Sequence, residues 1–234
     1  MAVVPNTKRK VRKMKKMNKK KFYIGAGLLL AFVLWTLLLG VIDVRAIGPR
    51  GSLVGFATLN QYVHGLTGEN MLLYTVTDWL GLVPFGVALG FALLGLVQWI
   101  KRKDILKVDR TILALGGFYL AVIAVYVFFE KVVINYRPVL IDGFLEASYP
   151  SSTTMLVMCV MPTAMMQLHS RIKNRAVRCG VTLPIAVFIA FMVIGRLVSG
   201  VHWITDIIGG ALVSAGLVLL YAFAAYDLDR SSKN

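Results

Sequence analysis

Residues 193–221 read VIGRLVSGVHWITDIIGGALVSAGLVLLY. One apolar run closes at Val198 and another opens at Ile204, with Arg196, His202 and Asp206 set around the gap. A membrane-spanning helix needs about 20 predominantly apolar residues. The runs Val181–Val198 and Ile204–Ala224 approach or meet that length, so two spans joined by a short polar turn are predicted. Further apolar runs lie at about Tyr23–Val41, Leu80–Ile100, Ile112–Phe129 and Thr154–Leu168. The expected fold class is therefore all-α, a polytopic membrane protein with six transmembrane helices. Composition agrees: 58% of the 234 residues are hydrophobic and 16% charged, with a mean hydropathy of +0.73. That excludes an ordinary soluble or disordered chain. Two cysteines, Cys159 and Cys179, lie in or beside apolar runs, which excludes a disulfide scaffold and a zinc cluster. The first run has a basic start like a signal peptide, but it exceeds the usual stretch of about 7–15 residues and no small-residue cleavage site follows. It reads as a retained anchor.

Twenty-six basic residues against eleven acidic give a net charge of +15, which by itself suggests nucleic acid. The placement of the charge argues against that partner. Ten basic residues fall between Lys8 and Lys21, five in Lys101–Arg110, four in Arg171–Arg178 and two in the C-terminal tail. The opposite side holds only Arg45, Arg50, Lys131, Arg137 and Arg196. Cytoplasmic loops collect Lys and Arg, so both termini are expected in the cytoplasm. The organisation expected is a basic tail over residues 1–22, a membrane domain over 23–226 and a second tail over 227–234. The basic tail suits contact with anionic lipid headgroups. Residues 46–78 read as an outer interfacial segment with two glycine-marked breaks and no legible chemistry. The sequence sets no oligomeric state.

Ionisable residues near the hydrocarbon boundary are costly and point to function. Three clusters fall on the outer side: Glu130-Lys131 with Asn135-Tyr136-Arg137-Pro138; Tyr149-Pro150-Ser151-Ser152-Thr153-Thr154; and Arg196, His202 and Asp206. Arg137 and Arg196 offer planar forks matched to paired phosphate oxygens. Pro150 followed by hydroxyl residues reads as a helix start, whose free N–H groups attract an anion. His202 and Asp206 are four apart, so they share a face if the sixth helix begins by Val201. The carboxylate can then take the proton on one imidazole nitrogen and leave the other as a nucleophile. Together these describe phosphoryl transfer through a phosphohistidine. No metal is implied by the ligand types present.

The clusters resemble the three-part signature of the type 2 phosphatidate phosphatase superfamily, which shares its core with vanadium haloperoxidases; a soluble haloperoxidase is excluded by the spans. The third part matches in spacing as Gly195-Arg196, five residues, His202, three residues, Asp206, with glycine in place of serine. The resemblance implies a phosphatidate-phosphatase-like helical bundle, His202 as nucleophile, Asp206 as its orienter and Arg196 as a phosphate ligand. In the first part Arg137-Pro138 fit, but Glu130 stands where the lysine belongs and Lys131 follows one step on. In the second part Pro150 and Ser151 match, Ser152 replaces a glycine, and Thr153 replaces the histidine that acts as general acid. Ser151, Ser152, Thr153 and Lys131 join the arginines as expected phosphate-binding residues. The implied function is a lipid phosphatase at the outer face of the cell membrane, acting on a membrane lipid phosphate or diphosphate without a cofactor. The compact form and the resemblance suggest a bacterial origin. Two alternatives use the same residues: a phosphotransferase between lipids, and a binder or transporter of lipid phosphates that has lost the acid.

Overall fold

The structure, a computed structural model, describes the backbone of residues 4–231 and the side chains of residues 16–226 and of Leu228. The outermost parts of the two sequence-defined tails lie outside the described residues. Eight α-helices occur among those described: α1 (Val4–Leu39), α2 (Ala57–Thr67), α3 (Met71–Leu80), α4 (Leu82–Arg102), α5 (Arg110–Lys131), α6 (Ser152–Arg171), α7 (Arg175–Val198) and α8 (Ile204–Ser231). Five segments are long and apolar enough to cross a bilayer: Lys16–Leu39, Met71–Arg102, Arg110–Lys131, Arg175–Val198 and Ile204–Tyr226. This is a multi-pass helical membrane protein. Its outward faces carry large apolar side chains such as Leu37, Leu120 and Leu183, each more than 60% exposed, as expected where lipid replaces water.

Of the six expected spans, the fourth, Thr154–Leu168, is the one that falls below that apolar threshold. The helix is nevertheless there. As α6 it runs 20 residues, about 30 Å at 1.5 Å per residue, which matches a hydrocarbon core. Its weaker hydropathy follows from its position among α4, α5, α7 and α8 rather than against lipid. Buried polar side chains such as Thr163 and Gln167 are tolerated there because they find partners: Thr163 Oγ1 donates to the Cys159 carbonyl at 2.8 Å, and Gln167 Nε2 donates to the Thr111 carbonyl at 3.2 Å.

Helix α8 is the axis of the bundle. Half of its most apolar window is buried, against 11–28% for the other spans. It runs antiparallel to α1, since Asn18 Nδ2 donates to the Phe223 carbonyl and Trp35 Nε1 to the Thr205 carbonyl, each at 3.2 Å. The two helices can approach because Gly216 has no side chain; a Cβ there would lie 2.7 Å from Leu29 Cδ2. On its other side α8 meets α6, where Ser214 Oγ donates to the Gly210 carbonyl at 2.7 Å and reaches the Met155 carbonyl at 3.2 Å. Phe32, Leu115, Phe118, Tyr149, Met155 and Val213 belong to the largest buried core.

The outer segment departs from the expectation. A short 3₁₀ turn (Pro49–Gly51) and α2 follow the first span, but α3 is not a separate surface helix. It leads into α4 with only Gly81 between them, and Gly81 itself has helical angles (φ −58°, ψ −20°). Asp78 interrupts the apolar pattern, which is why the run appeared to start at Leu80. In the structure that carboxylate has a partner, and α3 packs along α7.

Candidate active site

Arg137 sits on the loop between α5 and α6, which folds back on itself. Arg137 N donates to the Glu146 carbonyl at 3.0 Å, and Ser148 N donates to the Asn135 carbonyl at 2.9 Å. Arg196 lies in the last turn of α7, where Ser199 Oγ caps its carbonyl at 2.9 Å. His202 occupies the turn between α7 and α8. The expectation that it shares a helix face with Asp206 is corrected here, because α8 begins only at Ile204. Asp206 instead stands in the first turn of α8, accepting from Trp203 N at 3.0 Å and from Asn135 Nδ2 at 3.2 Å. The turn itself is made possible by Gly200, whose φ of +70° suits glycine and whose Cβ, if present, would lie 1.9 Å from the Gly68 carbonyl oxygen.

Backbone contacts lock these pieces together. Trp203 Nε1 donates to the Tyr136 carbonyl at 2.8 Å, which ties the His202 turn to the Arg137 loop. Ser151 N donates to the Asp206 carbonyl at 3.1 Å, which ties the start of α6 to α8. Asn70 N donates to the Ser199 carbonyl at 3.0 Å, bringing α3 against the same turn.

The result is convergence on one atom. Arg137 Nη1 and Arg196 Nη2 each lie 3.4 Å from His202 Nε2. On the other side of the ring, Asp206 Oδ2 is 3.7 Å from Nδ1, near enough to pair in charge but beyond a hydrogen bond. His202, Asp206 and Arg196 are at most 3% exposed. Two guanidinium nitrogens held within about 7 Å of each other repel by about 2 kcal/mol at an effective dielectric near 20. Among the described residues, the buried Arg196 Nε and Thr154 Oγ1 also have no hydrogen-bond partner. Repelling cations and unpaired donors are costly side by side, and an oxyanion between them relieves that repulsion.

Burial, and after it the charges of Arg137 and Arg196, holds the His202 imidazole well below its ordinary pKa. The ring is thus neutral near pH 7, with Nε2 facing the arginines. Such a group binds fewer protons folded than unfolded, so its stabilising contribution is complete above about pH 6.5 and is lost as pH falls below that value. The apparent melting temperature of detergent-solubilised protein is therefore expected to drop from about pH 7 to about pH 5. His202→Gln should flatten the drop, and an unchanged pH profile in that variant would refute the assignment.

The other expected phosphate-binding residues are placed less uniformly. Ser151 is fully buried as the N-cap of α6, its Oγ accepting from Thr154 N at 3.5 Å. Ser152 lines a small crevice with Tyr126, Glu130, Ser148 and Tyr149. Thr153 is half-buried, its methyl 3.7 Å from where a Cβ on Gly81 would sit. Lys131 is exposed at the end of α5 and is not among the groups gathered at His202. Four residues outside the expected set join the site. The Tyr74 ring lies 5.0 Å from the Arg196 guanidinium carbon and 6.0 Å from that of Arg137. Thr77 Oγ1 and Asp78 Oδ1 are each 3.5 Å from Arg196 Nη1, and Glu146 Oε2 is 3.0 Å from Arg137 Nε. The first three come from α3, which packs along α7.

A profile of the PAP2 superfamily matches residues 111–229, just over half of the chain, and takes in all four converging residues. The chain belongs to the PAP2 superfamily. No curated protein sequence matches it. Among solved structures it is similar to the crystal structure of the first transmembrane PAP2-type phosphatidylglycerolphosphate phosphatase from Bacillus subtilis. The two are 20% identical with a TM-score of 0.51, and the match covers 88% of this chain and 96% of that one. At that identity the likeness speaks for the PAP2 fold. The PAP2 superfamily thus counts a membrane lipid phosphatase among its members.

Proposed function

We propose that this PAP2 protein removes the terminal phosphate of a membrane lipid diphosphate, or of a lipid phosphate, through a phosphohistidine at His202 on the outer membrane face. The observation that carries the reading is the approach of two guanidiniums to the free nitrogen of a buried, neutral imidazole backed by a carboxylate. Arg137 and Arg196 hold the phosphoryl oxygens and offset their charge. Nε2 attacks phosphorus; the P–O bond to the leaving group breaks, and its electron pair stays on the leaving oxygen. The imidazolium formed is stabilised by Asp206. Water then attacks the phosphohistidine, the P–N bond breaks, its pair returns to Nε2, and the water proton leaves with inorganic phosphate. The outer location rests on the 21 basic residues gathered at the opposite end against five here.

Thr153 decides between leaving groups. A threonine hydroxyl donates a hydrogen bond but is no acid near neutral pH. An alkoxide needs a proton to depart, whereas phosphate, with a second pKa of about 6, needs little help. A polyprenyl-type diphosphate is thus the favoured substrate class. The test is phosphate release in detergent over matched polyprenyl mono- and diphosphates, phosphatidate and phosphatidylglycerophosphate. Faster turnover of the diphosphate is expected; equal or faster turnover of its monophosphate counts against the reading. Thr153 also favours a second reading, a lipid-phosphate binder or transporter without turnover, which predicts release from none of the four.

A further inference from the structure

Hydrolysis of a phosphohistidine at His202 calls for a proton acceptor other than that ring, because the attacking water sheds a proton while Nε2 is bonded to phosphorus. Among the described residues three carboxylates touch the converging groups: Asp206, Glu146 and Asp78. Asp206 stands on the other side of the ring, 3.7 Å from Nδ1, and is fully buried. Glu146 is committed to the stem of Arg137: its Oε2 lies 3.0 Å from Nε, and its backbone carbonyl accepts from Arg137 N at 3.0 Å. The hydroxyl of Thr153 is no base near neutral pH.

Asp78 differs on each count. Arg196 links it to the nucleophile, since Nη2 is 3.4 Å from His202 Nε2 and Nη1 of the same planar fork is 3.5 Å from Asp78 Oδ1. A carboxylate that only braced an arginine is best placed in a short contact through both oxygens. Here the contact is long, Thr77 Oγ1 approaches the same nitrogen at 3.5 Å, and Asp78 Oδ2 has no partner among the described residues. The Asp78 side chain is 59% exposed, against 1% for Arg196. The segment Met71–Arg102 is longer than a bilayer requires, and counting about 20 residues back from Lys101 puts the hydrocarbon boundary near Gly81. Asp78 therefore lies on the outer side of that boundary, within reach of water. Its helix end also borders Thr153: a Cβ on Gly81 would lie 2.8 Å from the Asp78 carbonyl oxygen and 3.7 Å from the threonine methyl.

Resting on the phosphohistidine reading above, we infer that Asp78 is the general base of the dephosphorylation step. A water held by its carboxylate gives up a proton to it as the water oxygen attacks phosphorus. The P–N bond breaks, its electron pair returns to Nε2, and Asp78 hands the proton to the departing phosphate.

Burst and steady-state assays of the full chain in detergent, with a polyprenyl diphosphate radiolabelled on its terminal phosphate, separate the two steps. Asp78→Asn is expected to release lipid monophosphate in a burst equal to the enzyme present and at close to the wild-type rate. Its steady-state phosphate release should fall about 10²-fold or more, the usual share of a general base. Its alkali-stable label should rise several-fold above wild type. Added formate should restore part of the release, and Asp78→Glu should retain more of it than Asp78→Asn. In wild type, deuterated water should slow phosphate release and spare the burst, a comparison that uses no variant. A residue that merely supports Arg196 would slow the burst without raising the label, and that outcome would overturn the inference. So would label that gathers in Glu146→Gln and not in Asp78→Asn. Labelled wild type with no rise in Asp78→Asn sinks the role of Asp78 alone, whereas phosphate release with no label in either protein defeats the phosphohistidine reading as well.

Discussion

Replacing His202 by alanine is expected to lower phosphate release by about 10⁴-fold or more, since losing the nucleophile of a covalent mechanism costs on the order of 10⁶ in a well-studied hydrolase. The loss should fall on kcat and leave KM nearly unchanged, because Arg137 and Arg196, the groups that hold the phosphate, keep their own supports in Glu146, Asp78 and Thr77. Asp206→Asn should cost less. The amide still accepts from Trp203 N, as Asp206 does now at 3.0 Å, so the turn survives, but the imidazolium formed in the first step loses its counter-charge. Wild-type enzyme given a radiolabelled terminal phosphate and quenched in alkaline detergent should keep its label in alkali and lose it in acid, as a phosphoramidate does, and His202→Ala should carry none. Residual release within about tenfold of wild type in His202→Ala would place the nucleophile elsewhere.

How much of this was legible in the sequence depends on what each signal measures. Hydropathy located the lipid-facing helices well, because four of them expose most of their surface to the bilayer. It was weakest for α6, whose neighbours are protein, and for α3, where Asp78 breaks the apolar run at the membrane boundary. That carboxylate is legible only once Arg196 is known to face it. The spacing Arg196, His202, Asp206 was visible, yet not the reason it works. The spacing suggested a shared helix face, whereas the structure uses a turn anchored by Gly200, Trp203 and Asn135 to set the ring between two arginines and a carboxylate. Pro150 and the hydroxyl run announced the start of α6 correctly, with Ser151 as its cap. They did not distinguish Ser151, buried at the α8 contact, from Ser152, turned toward Glu130, since a helix start spreads successive residues about 100° apart. Tyr74 and Thr77 could not be found by pattern, because an aromatic and a threonine at helical spacing look the same whether they face lipid, core or substrate.

Thr153→His is the second large expected effect, and of the opposite sign. Thr153 occupies the first turn of α6, one step past Ser152, at the end of the helix that faces the α3–α4 junction. Its neighbour there is Gly81, with no side chain and only 3.7 Å from the threonine methyl to the position of a Cβ. On the Gly81 side a larger ring at 153 therefore meets backbone rather than a packed side chain. An imidazole in that position supplies the proton that an alkoxide leaving group requires, a contribution of about 10²–10⁴-fold in general acid catalysis. The gain should appear in kcat/KM for lipid monophosphates and nearly vanish for diphosphates, whose departing phosphate is already a weak base. It should carry its own basic limb in the pH profile, absent from wild type, as the new group loses its proton. If both substrate classes gain alike, the histidine is improving binding and not protonation. If neither gains, the leaving group was never limited by the missing acid, and the preference for diphosphates loses its physical basis.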